Sequence, residues 1–592
     1  MQMMDISKHR KKTAKIVEKL GNRAVDLQGT SKKHFSRYLT RRTGRIGGIK
    51  RFAFGWLLLV VLLTVGTLGS LRQVRVASQA PKAVAGGVYT EGLIGTVNNL
   101  NPMFSSGMVD DSVGRMVFNG LMRYDEEGNL VPDLATQLQV DESKKIYTLT
   151  LKDDVLWHDD QPFDAEDVTF TFATIQNPAT RSTAFASWQG IKVSAVDART
   201  VRFELPAPFA PFPGALTASI LPSHLLKDIP AEKIRTAAFN NGPVGTGPFV
   251  FKALRKDQAK QQQVEFARNP RYFRGEPQLD RFIMRLYEDD EALASALEAR
   301  EITAAVDLKP DTAATLASDK SIRLVDIPLN SGVFAFMKNT SPLLADANVR
   351  SAMALGIDRE KAVLELFDAR YTPLKSPLLP SQIGYDPQYN QVTNLTEAQR
   401  LLDAAGWVKQ ANGMRAKDGA PLQLNLITVN SAQYSALAGE LQRQWAAIGV
   451  DVKSQLLTLE QLQQNGLAAH SYDILLYGIS IGYDPDVYAY WHSSQARSSG
   501  LNFSEWKSTR ADVSLEVART RLEKILREAR YKTFLDEWKK SSPAVALYQP
   551  RVTYVHHQNA QGIIPVAANN ASARLTNVED WTVGIAPTQQ TP

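Results

Sequence analysis

The chain has 592 residues, a formal net charge of +7 and no cysteine, so disulfides, thiolate metal sites and a lipid-modified cysteine anchor are excluded. The positive charge sits at one end. Residues 1–51 hold fifteen Lys or Arg against three acids, and the remainder is mildly acidic, which gives a nucleic-acid role no support.

In the basic tail, residues 7–20 can form an amphipathic helix on a membrane surface, and Gly44, Gly47 and Gly48 read as a flexible joint. Residues 52–71 read FAFGWLLLVVLLTVGTLGSL, twenty positions without a charge. As a helix they cover roughly 30 Å, the thickness of a bilayer's hydrocarbon core. The basic flank puts the N-terminus in the cytoplasm and the larger C-terminal part outside, at the cell membrane. A cleaved signal peptide is the competing reading, but Ala83-Val84-Ala85, which has the composition of a cleavage site, lies well past the apolar run. An uncleaved single-pass anchor is expected, followed by a short linker at residues 72–86. About 500 residues remain, too many for one core, so two or more lobes are expected.

The external part opens with a strand (GVYTEGL) and a turn-rich VNNLNP, then a helix over residues 110–118 capped by Asp110 or Asp111. Residues 146–151 (IYTLTL) alternate as a half-buried strand, and 164–174 begin a helix with acids in its first turn. Further helices are expected over 288–300, 346–355 and 358–367. Another spans 396–405, with Thr396 and Gln399 as a capping box and Gly406 as stop. Residues 422–429, 433–448 and 450–457 read as strand, helix, strand, an α/β signature. Strands return at 544–548 and 551–556, which suggests that the C-terminus closes back on the first lobe.

Seven segments, in order, carry a resemblance. They are NNLNP (98–102), FNGLMRYDEEGNLVPDLA (118–135), YTLTLKDDVLWHDDQPFDAEDV (147–168), GPVGTGPF (242–249), NPRYFRG (269–275), NVRSAMALGIDR (348–359) and EAQRLLDAAGW (397–407). From about residue 87 to 565 the chain resembles the family-5 extracellular solute-binding proteins, the peptide- and nickel-type binding components of ABC importers. The resemblance implies an α/β, two-lobed periplasmic-binding-protein-like fold (type II, with an extra subdomain), here preceded by the one transmembrane helix. The first lobe is expected over 87–330 with an insert at about 130–240, the second over 331–541, and a return to the first lobe over 542–592. It also implies hinged closure on a small solute, delivery to ABC permease subunits, a monomer, and neither enzyme activity nor a cofactor. A peptide is the first ligand implied; an oligosaccharide or other neutral solute is the alternative, and a ligand sensor without transport is a further one.

Two departures from the family pattern stand out. His158-Asp159-Asp160 carries Asp where the family has Gly, a position an Asp can hold in a left-handed turn. In peptide-binding members an acid a few residues before an acidic-Pro pair holds the peptide's amino group. Here the pair is Asp484-Pro485 and the expected acid falls on Ile481 or Gly482. A buried ammonium without a partner is costly, so the usual anchor is missing. The expected ligand contacts are Glu91, Leu93 and Ile94 in the first lobe. In the second they are Tyr477, Gly478, Ile479, Ser480, Ile481, Tyr483 and Asp484, with Glu91 or Asp484 taking over the amino group of a peptide. His492 is the one histidine expected near the cleft. Residues 478–482 also match G-x-S-x-G, the serine-hydrolase elbow, but Tyr483-Asp484-Pro485 interrupts the helix that should follow.

Overall fold

The computed structural model describes residues 85–256, 261–367 and 370–584. The basic tail and the apolar run at 52–71 lie outside the described residues, and among the described residues no helix is long and apolar enough to cross a membrane.

Two large sheets organise the chain. The first has seven strands, in the spatial order Ile322–Pro328, Arg551–His557, Ala304–Val306, Val88–Ile94, Arg281–Tyr287, Gln262–Arg268, Phe249–Lys256. The second has six, in the order Thr372–Pro373, Ala544–Gln549, Ser331–Met337, Ile474–Ser480, Gln423–Val429, Asp451–Leu457. A separate four-stranded antiparallel sheet, built from residues 135–204, stands on the first lobe. Its strand Ile146–Leu151 buries Tyr147, Leu149 and Leu151 on one face, as strict alternation requires.

The chain crosses between the two sheets twice. The first crossing runs from Pro328 to Ser331 and the second from Gln549 to Arg551. Strand Ala544–Gln549 belongs to the second sheet, so the return expected from residue 542 comes at Pro550 instead. The two crossings are tied side by side, with the Leu329 N–H donating to the Pro550 carbonyl at 2.9 Å. Asn330 is buried at this point; its N–H donates to the Ala568 carbonyl at 2.6 Å.

Two helix starts differ from expectation for clear reasons. The helix expected from Asp110 runs Met108–Val117 with Gly107 at its N-cap. Asp110 instead accepts from the Asn98 and Ser106 backbone N–H groups at 2.9 and 3.2 Å, pinning the preceding turn onto the helix. The helix expected from Thr396 runs Leu395–Ala404, because Asn394 accepts from the Glu397 N–H at 3.0 Å and is the better cap. Asp160 does occupy the left-handed region, with φ +72°.

Candidate binding cleft

The lobes face each other across a cleft that is closed by three sets of contacts at its rim. Tyr124 of the first lobe stacks on Tyr483 of the second, ring centroids 3.6 Å apart. The Ala210 N–H donates to the Arg519 carbonyl at 2.7 Å, and the Arg519 guanidinium lies 5.1 Å from the Phe209 ring. Lys144 pairs with Glu523.

Glu91 does not face this cleft as a free acid. It is fully buried in the first sheet and clasped by Arg574, whose Nε donates to Oε1 at 2.9 Å and whose Nη2 donates to Oε2. Tyr554 donates to the same Oε1 at 3.0 Å and is itself 2.5 Å from the Tyr89 hydroxyl. Burial works against the charge on Arg574, but Glu91 more than offsets it and the guanidinium is held above its ordinary value. The expectation that Glu91 offers an open anchor is therefore corrected: its acceptor sites are spent on a buried pair that ties the first strand to the C-terminal segment. Leu93 is fully buried, and Ile94 packs on a small apolar cluster around Leu293 and Ile302.

In the second lobe, Asp484 is likewise engaged. Arg527 donates to both of its oxygens at 2.8 and 2.6 Å, and Arg519 holds Asp486 at 2.8 Å. Neither acid proposed for a peptide's amino group is thus unpartnered. Ile479 and Ile481 are buried. The N–H groups of Ile481 and Gly482 both donate to the Asn330 carbonyl, at 2.8 and 2.9 Å, so this loop is fastened directly to the first crossing. Gly482 sits at φ +85°, which only glycine adopts readily, and its carbonyl accepts from the Gln382 side chain at 2.7 Å. Tyr477 packs edge-on against Phe503. A side chain at Gly478 would press on the Tyr434 hydroxyl.

Ser480 is exposed and ends its strand, and the next helix begins only at Tyr488. A nucleophile elbow needs a helix straight after the serine and a histidine in reach. The six histidines among the described residues have partners elsewhere; His492, for instance, bonds Ser494 and Glu516 and stacks on Tyr488. His556 and His557 bond to different backbone carbonyls, of His557 and Leu297. No group of three or more His, Asp or Glu among the described residues is placed to hold a metal ion.

One feature of the strand Ile474–Ser480 bears on binding. On one side it pairs with Ser331–Met337 along its whole length. On the other it meets Gln423–Val429 only at Ile474 and Leu475. Among the described residues no strand pairs with that edge from Tyr477 to Ser480.

Residues 129–500 match the family described as bacterial extracellular solute-binding proteins, family 5 Middle. The chain belongs to this family. It is an extracytoplasmic solute-binding protein by that membership. Among curated relatives, the oligopeptide-binding protein AppA of Bacillus subtilis is 27% identical over 522 residues, 85% of this chain and 92% of that protein. The structure of AppA in complex with a nonapeptide superposes with a TM-score of 0.66 at 25% identity, over 85% of this chain and all of that one. The structure of NikZ from Campylobacter jejuni in complex with Ni(L-His) gives a TM-score of 0.68 at 26% identity, over 84% and 99% of the two chains. Their two-lobed fold is that of this solute-binding protein.

The residues that sequence reasoning missed are the arginines. Arg574, Arg527 and Arg519 neutralise the acids of the cleft region from 33 to 483 residues away. No local pattern marks such partners. Tyr124 lay within a recognised segment but gave no sign that it would meet Tyr483.

Proposed function

We propose that this protein captures peptides outside the membrane and passes them to an ABC permease, with residues 52–71 as its membrane tether. The observation that carries the peptide reading is the edge of the strand Ile474–Ser480 beyond Leu475, with which no described strand pairs, although Thr428 bonds the Leu476 carbonyl and Tyr490 the Ser480 backbone. An extended peptide laid along such an edge gains main-chain hydrogen bonds whatever its side chains, which suits a receptor for many sequences. The double crossing at Asn330 and Pro550 supports a hinge about which the lobes close, and a ligand that touches both lobes favours the closed form. The peptide-binding relatives support the same choice of ligand. With Glu91 and Asp484 both ion-paired, affinity rests on backbone pairing and enclosure rather than on a carboxylate for the amino terminus.

Calorimetry on the purified full-length chain tests this, using one pool of tri- to hexapeptides and one pool of oligosaccharides. Saturable binding of the peptide pool alone is expected. Binding of the oligosaccharide pool alone would overturn the peptide reading.

A further inference from the structure

The first lobe contains a cavity of about 260 Å³ beside the Tyr124–Tyr483 stack, lined among others by Asp111, Arg115, Arg123, Tyr124, Asp133 and Arg274. That volume lies below the roughly 300–1,000 Å³ of drug-sized pockets, so it suits one chemical group or one residue of a larger ligand. Its charged groups divide into two kinds. Asp133 is bonded by Asn119 and paired with Arg274, which also holds Glu579. Asp111 accepts from Ser105 and, at 3.0 Å, from Asn570. The two remaining guanidiniums have nothing comparable. Arg115, half-buried on the helix Met108–Val117, makes no hydrogen bond or ion pair with any described residue. Arg123, on the short strand Met122–Tyr124, has a buried Nε without an acceptor. The acids of the cavity are therefore supplied with donors, while its free donors lack acceptors.

A buried donor left unpaired is destabilising, and planar guanidiniums match carboxylates two bonds at a time. We propose that Arg115 and Arg123 form an anion-binding subsite that takes a carboxylate of the solute. This rests on the reading of the cleft as a peptide site and adds a preference for ligand chemistry. The carboxylate has two sources, the peptide's C-terminus or an acidic side chain. Burial and the nearby Arg274 weaken the hold of Arg115 on its proton, whereas Tyr483, Asp133 and Asp111 strengthen it; burial prevails. An incoming anion relieves that strain on the charge.

The test is calorimetry on the full-length chain and on Arg115→Gln, Arg123→Gln and Arg115→Lys. The probes are tripeptides with a free C-terminus, the same peptides amidated, and amidated peptides carrying Glu or Gln. The wild type should prefer one carboxylate source at least tenfold over its neutral counterpart. Both Gln variants should lose that preference and Arg115→Lys should keep part of it. Equal binding of acid and amide forms overturns the subsite, as does a preference that survives both Gln variants. A second arm titrates citrate and inorganic phosphate and follows thermal unfolding. Should no peptide bind, the peptide reading falls, yet protection by citrate that both Gln variants abolish still supports the subsite; no protection overturns it too.

Discussion

Tyr124 and Tyr483, one from each lobe, stack with ring centroids 3.6 Å apart and planes inclined by 15°. Since 359 residues separate them, the contact exists only when the lobes are together. Such a pair contributes about 0.5–1.5 kcal/mol beyond its buried area. Tyr124→Ala and Tyr483→Ala should each weaken peptide-pool binding by roughly twofold to tenfold, with a coupling in the double variant of the same order. Calorimetry on the four proteins measures it. Strict additivity would mean that the stack plays no part in capture.

Glu91 and Arg574 form a fully buried pair. Glu91→Gln leaves the guanidinium charged and unmatched, and loss of one partner from a buried pair typically costs about 3–5 kcal/mol. Urea denaturation should show that loss, while the folded fraction binds peptides as before. Weaker binding with an unchanged denaturation midpoint would return Glu91 to the ligand.

His158 is held neutral. The Gly245 N–H donates to Nδ1 at 3.3 Å, and Nε2 donates to the Gly247 carbonyl at 3.0 Å. Burial pushes its pKa down from 6.5 to about 4. The unfolded chain then binds the extra proton between those values, so stability rises with pH across that window and is lost as pH falls from about 6.5 to about 4. The contribution is at most about 3 kcal/mol. His158→Gln keeps a donor and an acceptor and should flatten this part of the pH–stability curve. An unaltered curve would show that other groups set it.

Gly245 lies against the end of the helix that carries Arg115, and a Cβ there would overlap the Val117 carbonyl oxygen. Gly245→Ala must push backbone against backbone. A cost at the upper end of the roughly 1–3 kcal/mol range for overpacking is expected in denaturant titration. A neutral result would mean that this segment shifts freely.

Much of this architecture was legible in the sequence, because local patterns set it. Alternation marked Ile146–Leu151, and the strand–helix–strand run at 423–457 followed from periodicity and from the stop at Gly449. The site was legible only in part. The loop ending at Tyr483 could be singled out as a stretch, but the state of its charges depended on Arg519 and Arg527, and that of Glu91 on Arg574. Ion pairing is decided by which distant side chains share a dry space, and a linear pattern does not encode that. The same reason hid Arg115 and Arg123, whose significance is the lack of a partner.

The claim that matters most is that peptide capture closes the lobes about the crossings at Asn330 and Pro550. The chain has no cysteine, so spin labels can be placed at will. Glu142→Cys and Ile525→Cys put labels on exposed sites either side of the Lys144–Glu523 contact. Double electron–electron resonance with and without the peptide pool reads the distance between them. A shift to a shorter, narrower distribution on adding peptides is expected; the same distribution in both states, with binding verified by calorimetry, would contradict closure on the ligand.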